Sequence, residues 1–94
     1  MNPELIKQVI DKYGVDAQVD MVIEECSELQ KALLKYRRNP QEHEYNNVLE
    51  EVADVEIMLE QLRFIMGKGA WIKIETFKVE KLERLYNKLN NETI

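Results

Sequence analysis

The sequence predicts an all-α protein built from four helices. Apolar residues recur at steps of three and four along most of the chain, and no segment alternates with a period of two for long enough to form a strand. Glycine and proline lie between these periodic segments, where helices are expected to end. With 94 residues, the chain is short for more than one domain, so residues 1–94 are expected to form a single domain.

The first two helices follow from residues that favour helix ends. Asn2 is a good N-cap and Pro3 suits the first position of a helix, which Gly14 is expected to end. Asp16 is the expected N-cap of a second helix over residues 17–38. An Asn-Pro pair then stops that helix.

The second half of the chain predicts two more helices. A third helix is expected over residues 42–66, closing at a Gly-Lys-Gly segment of residues 67–69. A fourth helix is expected over residues 71–89, before a polar tail of residues 90–94. The two central helices therefore each exceed twenty residues.

Both central helices carry a narrow apolar stripe with steps of four, three, four and three, a pattern that packs helix against helix. The stripe residues are Val22, Cys26, Leu29, Leu33 and Tyr36 in the second helix, and Val48, Val52, Val55, Leu59 and Leu62 in the third. A domain this small buries only about 60% of the surface of its unfolded chain. We therefore expect a second copy of the chain to complete the bundle.

Composition excludes several classes of partner. The chain has 18 acidic against 13 basic residues and a net charge of −5, which argues against binding to a nucleic acid backbone. No apolar run exceeds three residues, so no membrane span is expected, and no signal-peptide apolar region is found. The single cysteine, Cys26, favours a reduced thiol and a cytoplasmic location.

Acidic residues repeat with the stripes, at an offset of 26 residues: Glu24, Glu25 and Glu28 correspond to Glu50, Glu51 and Asp54. Glu25 and Glu51 are expected about 60° to one side of their stripes, while Glu24 and Glu50 point about 160° away, toward solvent. If the stripes pack together, the flanking carboxylates meet at the edge of the interface. Such groups repel each other and raise each other's pKa, and a hard cation such as Mg²⁺ would relieve this. The alternative is a solvated acidic face, because glutamate is common on exposed helices.

These motifs resemble a known family. The segments Glu-Glu-Cys-Ser-Glu over residues 24–28 and Glu-Val-Ala-Asp over residues 51–54 are similar to the Glu-Glu-x-x-Glu and Glu-x-x-Asp motifs of the MazG-type all-α nucleoside triphosphate pyrophosphohydrolases. Gln18, the leucine that follows Glu28 and an Ala-Asp-Val run in the second motif agree with this resemblance, which covers residues 13–66.

The resemblance implies a four-helix MazG-like bundle that forms a homodimer or homotetramer. It also implies Mg²⁺, with Mn²⁺ able to substitute, held by Glu25, Glu28, Glu51 and Asp54. The implied reaction cleaves an NTP or dNTP between its α and β phosphates to give a monophosphate and pyrophosphate. A carboxylate not fully used by the metal would act as the general base, and Glu24 and Glu28 are both candidates.

Four further residues are candidates for substrate binding. Gln18 lies two turns before Glu25 on nearly the same line, and its amide could contact a base edge. Lys35 lies on the face of Glu28 and could meet a phosphate. Lys78 lies in the middle of the apolar stripe of the last helix and Lys81 at its edge, and either could meet the triphosphate, since basic residues on the last helix are similar to those the family uses. For each, an ordinary surface side chain is the alternative.

Two other functions fit the same sequence. One is a helical adaptor or dimerisation module whose acidic residues are only a solvated rim. The other is a degenerate family member that binds nucleotide without cleaving it.

Overall fold

The computed structural model describes residues 2–92. Within this range the chain forms four α-helices and no strand, which confirms the predicted fold class and number of helices. The helices are α1 (Pro3–Tyr13), α2 (Val15–Arg38), α3 (Glu42–Met66) and α4 (Lys68–Glu92). None of the helices in this part of the chain is both long and apolar enough to cross a membrane.

A single glycine separates α1 from α2. The Asn2 side chain caps α1 by accepting a hydrogen bond of 2.8 Å from the backbone N–H of Glu4, as predicted. Gly14 has φ of +91° and ψ of 158°, a conformation that is nearly confined to glycine. Because α2 begins directly after Gly14, Asp16 lies inside the first helical turn and is not the N-cap as predicted. An acidic residue there still interacts favourably with the helix dipole.

Another single glycine separates α3 from α4. Gly67 has φ of +89°, and its N–H donates to the carbonyl oxygen of Arg63 at 3.0 Å. One residue in this conformation ends α3, so α4 begins at Lys68 and Gly69 lies within it, earlier than predicted. Contrary to the prediction of a polar tail, α4 also continues to Glu92; the last two residues of that predicted tail lie outside the described residues.

The helices α2 and α3 form an antiparallel hairpin around a three-residue connection, residues 39–41. Near this turn the rings of Tyr36 and Tyr45 pack with their centroids 5.7 Å apart. We call the line of buried and half-buried residues along which the two helices pack the α2–α3 seam. On α2 it keeps steps of four and three, through Gln18, Val22, Glu25, Leu29, Ala32 and Tyr36.

The α2–α3 seam is rotated relative to the predicted stripes. Glu25 and Glu51 were expected beside the apolar stripes, but both are half-buried and lie within the seam. Leu33, Val52 and Leu59, which were expected to face inward, are exposed. In the single chain, one edge of each predicted stripe is thus left without a covering helix.

The single chain is extended for its length. Its radius of gyration is 17.0 Å, whereas a compact domain of this size would have about 12 Å. Among the described helices α4 packs only against α3, and every residue over 75–91 is exposed. Leu82 and Leu85 of α4 are 63% and 52% exposed. One copy of the described chain therefore leaves much of its apolar surface in contact with solvent.

Candidate metal centre

Three carboxylates from the two central helices converge at the α2–α3 seam. Glu25 of α2 and Glu51 and Asp54 of α3 each offer one oxygen, and these oxygens all lie within 4.8 Å of one another. Ligand oxygens around an octahedral Mg²⁺ at 2.0–2.1 Å are about 3 to 4 Å apart. Small side-chain rotations are therefore enough to place the three oxygens around one cation. We call these three residues the carboxylate cluster.

The helical hairpin explains this convergence. Glu51 and Asp54 are three positions apart, so their side chains rise from adjacent turns of one face of α3. Glu25 projects from α2, which packs against this face of α3 in the hairpin, so it reaches the same place from the opposite side of the seam. The two acidic motifs, separated by 26 residues in sequence, meet in space in this way.

Burial and mutual repulsion act on the carboxylate cluster. Oxygen Oε2 of Glu51 is buried and has no hydrogen-bond partner. The pKa of Glu25 is raised above its usual 4.5, first by burial and then by the charges of Asp54 and Glu51, with smaller contributions from Glu28 and Glu24. Glu25 and Glu51 thus lie where a positive charge would be favourable.

Glu28 differs from the other three predicted ligands. It is exposed, and one of its oxygens lies 3.5 Å from the Nζ of Lys31. Its charge still raises the pKa of Glu25, so it lies near the carboxylate cluster without belonging to it. Glu24 is exposed, as expected from its position on the helix. Both candidate general bases therefore border the carboxylate cluster from the solvent side.

A cavity of about 500 Å³ lies further along the same seam. Gln18 and Gln61 line it and are 6% and 5% exposed. Oxygen Oε1 of Gln61 is buried without a hydrogen-bond partner. The other lining residues are Val9 and Tyr13 of α1, Ala17, Asp20, Met21 and Glu24 of α2, and Met58 of α3. We call this space the amide cavity.

Gln18 was a candidate from the sequence, but Gln61 was not. Gln61 lies in no recognised motif, and a single glutamine on a long helix is ordinarily a surface residue. One signal was present: Gln18 lies seven residues before Glu25, and Gln61 lies seven residues after Asp54. In an antiparallel pair of helices this spacing brings the two amides to the same level.

The candidate lysines lie apart from the carboxylate cluster. Lys35 lines a polar cleft of about 510 Å³ with His43 and Glu50, and it lies about 15 Å along α2 from Glu25. Lys78 is exposed on α4, where its Nζ is 3.6 Å from an oxygen of Glu75. Lys81 is also exposed on α4. Within the described part of one chain, α4 does not pack against α2, the helix that carries Glu25.

Comparisons with known proteins do not assign a function to this site. The site consists of the carboxylate cluster and the amide cavity, which lie along the α2–α3 hairpin. No protein-family model matches the chain, and neither a curated protein nor a solved structure is detectably similar to it.

Proposed function

We propose that this chain is a Mg²⁺-dependent nucleoside triphosphate pyrophosphohydrolase of the MazG-like type. It would cleave an NTP or dNTP between the α and β phosphates and release a nucleoside monophosphate and pyrophosphate. The observation that carries the proposal is the convergence of Glu25, Glu51 and Asp54 at the α2–α3 seam, where Glu25 and Glu51 are half-buried and Asp54 is exposed. The resemblance of the two acidic motifs to that family supports the same reaction.

The donor set fits a hard cation. Carboxylate oxygens are suitable ligands for Mg²⁺, which keeps several coordination positions for water and substrate phosphates, and Mn²⁺ accepts the same ligands. Glu25, Glu51 and Asp54 would hold the ion, with Glu28 able to join them by rotating away from Lys31. When bound, the ion would neutralise charge on the carboxylates and on the triphosphate. The acidic charge of the site would then no longer exclude a polyanionic substrate.

The chain's own residues would position the reacting water. Hydrolysis breaks the anhydride bond between the α and β phosphates, and the attacking water loses a proton. Glu24 and Glu28 both border the carboxylate cluster and are exposed, so either carboxylate could accept that proton. Because Glu25 and Glu51 are half-buried, their own carboxylates would be restricted in the positions they can adopt.

The proposed active form is a homodimer or homotetramer in the cytoplasm. The extended shape of the single chain and the exposed leucines of α4 support assembly, because a second copy would bury this apolar surface. Assembly would complete a four-helix bundle around α2 and α3. It would also allow Lys78 and Lys81 of one copy to approach the triphosphate bound by another.

The proposal is tested by measuring pyrophosphate release from a panel of NTPs and dNTPs with Mg²⁺ or with EDTA. We expect turnover only with the metal, and a loss of at least about 100-fold in Glu25→Gln and Asp54→Asn, since metal stabilisation of this kind amounts to several kcal/mol. Glu56→Gln is the matched control, because Glu56 is an exposed residue of α3 outside the cluster. Unchanged rates in both cluster variants would contradict the proposal.

The main alternative is a non-catalytic helical dimerisation module. The exposed apolar residues of α4 favour it, since they require a covering partner whether or not the chain is an enzyme. Thermal unfolding with increasing Mg²⁺ separates the two functions. A specific cation site should raise the melting temperature with saturation, whereas a module with a solvated acidic rim should show little specific effect. A degenerate member would bind nucleotide and Mg²⁺ but release no pyrophosphate.

A further inference from the structure

Apart from Glu24 at its border, the residues of the amide cavity have no part in the hydrolysis steps described above. Gln18 and Gln61 are the buried polar residues of the described chain, and both line this cavity. Buried polar groups almost always have hydrogen-bond partners. The Oε1 atom of Gln61 has none within the described chain, so a ligand that donates a hydrogen bond would satisfy it.

The cavity and the carboxylate cluster share one helical register. Because α2 and α3 are antiparallel, three pairs of residues face each other in succession along the seam. From the cavity to the cluster they are Gln18 with Gln61, Met21 with Met58, and Glu25 with Asp54. Seven residues of helix separate the amides from the carboxylates, which is about 10 Å. A single elongated ligand can therefore contact both groups.

The chemistry of the cavity differs from that of the cluster. An amide side chain offers a donor beside an acceptor, which matches the edge of a heterocycle that carries an N–H next to a carbonyl or ring nitrogen. Thioether side chains such as those of Met21 and Met58 pack favourably against aromatic rings. Asp20 and Glu24 also line the cavity, and their charges disfavour a phosphate there. The cavity therefore suits an uncharged planar ring.

We propose that the amide cavity binds the nucleobase of the triphosphate, with Oε1 of Gln61 accepting a hydrogen bond from an N–H of the base. Gln18 contacts the same edge, and Met21 and Met58 pack against the ring. The sugar spans the distance between the cavity and the carboxylate cluster. This inference rests on the proposed function, because it takes the ligand of the cluster to be a nucleoside triphosphate.

The test compares substrates with and without a base. Gln61→Leu should raise KM for a dNTP at least 10-fold with a smaller change in kcat, because base binding is lost while the metal site is kept. Hydrolysis of 2-deoxyribose 5-triphosphate, which has no base, should be the same in the variant and the wild type. Gln30→Leu, at an exposed position of α2, is the matched control and should behave like the wild type. Gln18→Leu provides a second, independent variant with the same expected pattern.

Two results would overturn the base-binding proposal. An equal loss for the base-containing and base-free substrates in Gln61→Leu would show a general structural effect. Dissociation of the oligomer in sedimentation experiments on Gln61→Leu would show that the cavity is an interface with a second copy. The melting temperature should not fall in this variant, since leucine removes an unpartnered buried oxygen.

A binding experiment in EDTA distinguishes failure of this inference from failure of the proposed function. Deoxynucleosides carry a base but no phosphate, so their binding does not require the carboxylate cluster. We expect calorimetry to detect binding to the wild type that is at least 10-fold weaker in Gln61→Leu, even if the protein releases no pyrophosphate. If no deoxynucleoside binds while triphosphates are hydrolysed, the base-binding proposal is wrong and the proposed function stands.

Discussion

Replacing Glu25 by glutamine should stabilise the metal-free protein. One oxygen of Glu25 lies within 4.8 Å of an oxygen of Glu51 and an oxygen of Asp54. At that separation the repulsion between two unit charges is about 0.9 kcal/mol in water and about 3.5 kcal/mol at an effective dielectric constant of 20. Because the cluster is partly solvated, values near the lower limit apply. Glutamine has nearly the same shape and no charge, so it should remove about 2 kcal/mol of repulsion from the two pairs.

Thermal unfolding with and without Mg²⁺ measures this effect. In EDTA, Glu25→Gln should unfold several degrees above the wild type, because 1 kcal/mol corresponds to about 4–8 °C for a domain of this size. Adding Mg²⁺ should raise the melting temperature of the wild type, by an amount equivalent to about 2.7 kcal/mol at 100 times the dissociation constant. The variant should lose most of that response. The exposed control Glu56→Gln should match the wild type in both conditions.

Two outcomes would refute this reasoning. A lower melting temperature for Glu25→Gln in EDTA would show that the carboxylate makes a stabilising contact in place of a repulsive one. A response of the variant to Mg²⁺ equal to that of the wild type would show that Glu25 does not contribute to cation binding.

Three further predictions concern pH, the helix junction and assembly. The folded protein holds the pKa of Glu25 above 4.5. In the absence of metal, the folded state therefore binds more protons at Glu25 than the unfolded state does. As a result, the free energy of unfolding falls as pH rises through the window just above 4.5. The difference in melting temperature between Glu25→Gln and the wild type in EDTA should therefore grow from pH 4.5 to pH 7, and a constant difference would contradict the assignment. Gly67→Ala should lower the free energy of unfolding in urea by about 1–3 kcal/mol, because Gly67 has φ of +89°. Gly69→Ala should raise it by about 0.5–1 kcal/mol, because Gly69 lies inside α4 with open space around it. Equal effects of the two substitutions would show that backbone conformation is not the cause. If the chain assembles as proposed, Leu85→Lys should dissociate the oligomer in sedimentation experiments, whereas Asn87→Lys on the same helix should not. A monomeric wild type would contradict the proposed assembly, and an oligomer that persists in both variants would place the interface elsewhere.

The fold class, the number of helices and several of the helix ends were predictable from the sequence. Asn2 and Pro3 mark the start of α1, and the Asn-Pro pair marks the end of α2, as expected. The start of α4 was misplaced because the Gly-Lys-Gly segment resembles a three-residue linker. Gly67 alone, with positive φ, separates α3 from α4, so Gly69 joins the helix. The local sequence does not show which of the two glycines, Gly67 or Gly69, adopts a positive φ.

The candidate site was only partly predictable. The repeated acidic motifs indicated which carboxylates could meet, and the structure brings Glu25, Glu51 and Asp54 together. Apolarity alone, however, assigned Leu33 and Val52 to the interior. The spacing of apolar residues does not specify which edge of such a stripe packs within the chain.

The most direct test of the central claim is the identity of the products formed from a deoxynucleoside triphosphate. Phosphorus NMR spectra of the reaction distinguish monophosphate, diphosphate, pyrophosphate and phosphate in one sample. With Mg²⁺ present, the account predicts equal amounts of deoxynucleoside monophosphate and pyrophosphate, and no change in EDTA. Release of diphosphate and phosphate, or a triphosphate that stays intact with saturating Mg²⁺, would contradict it.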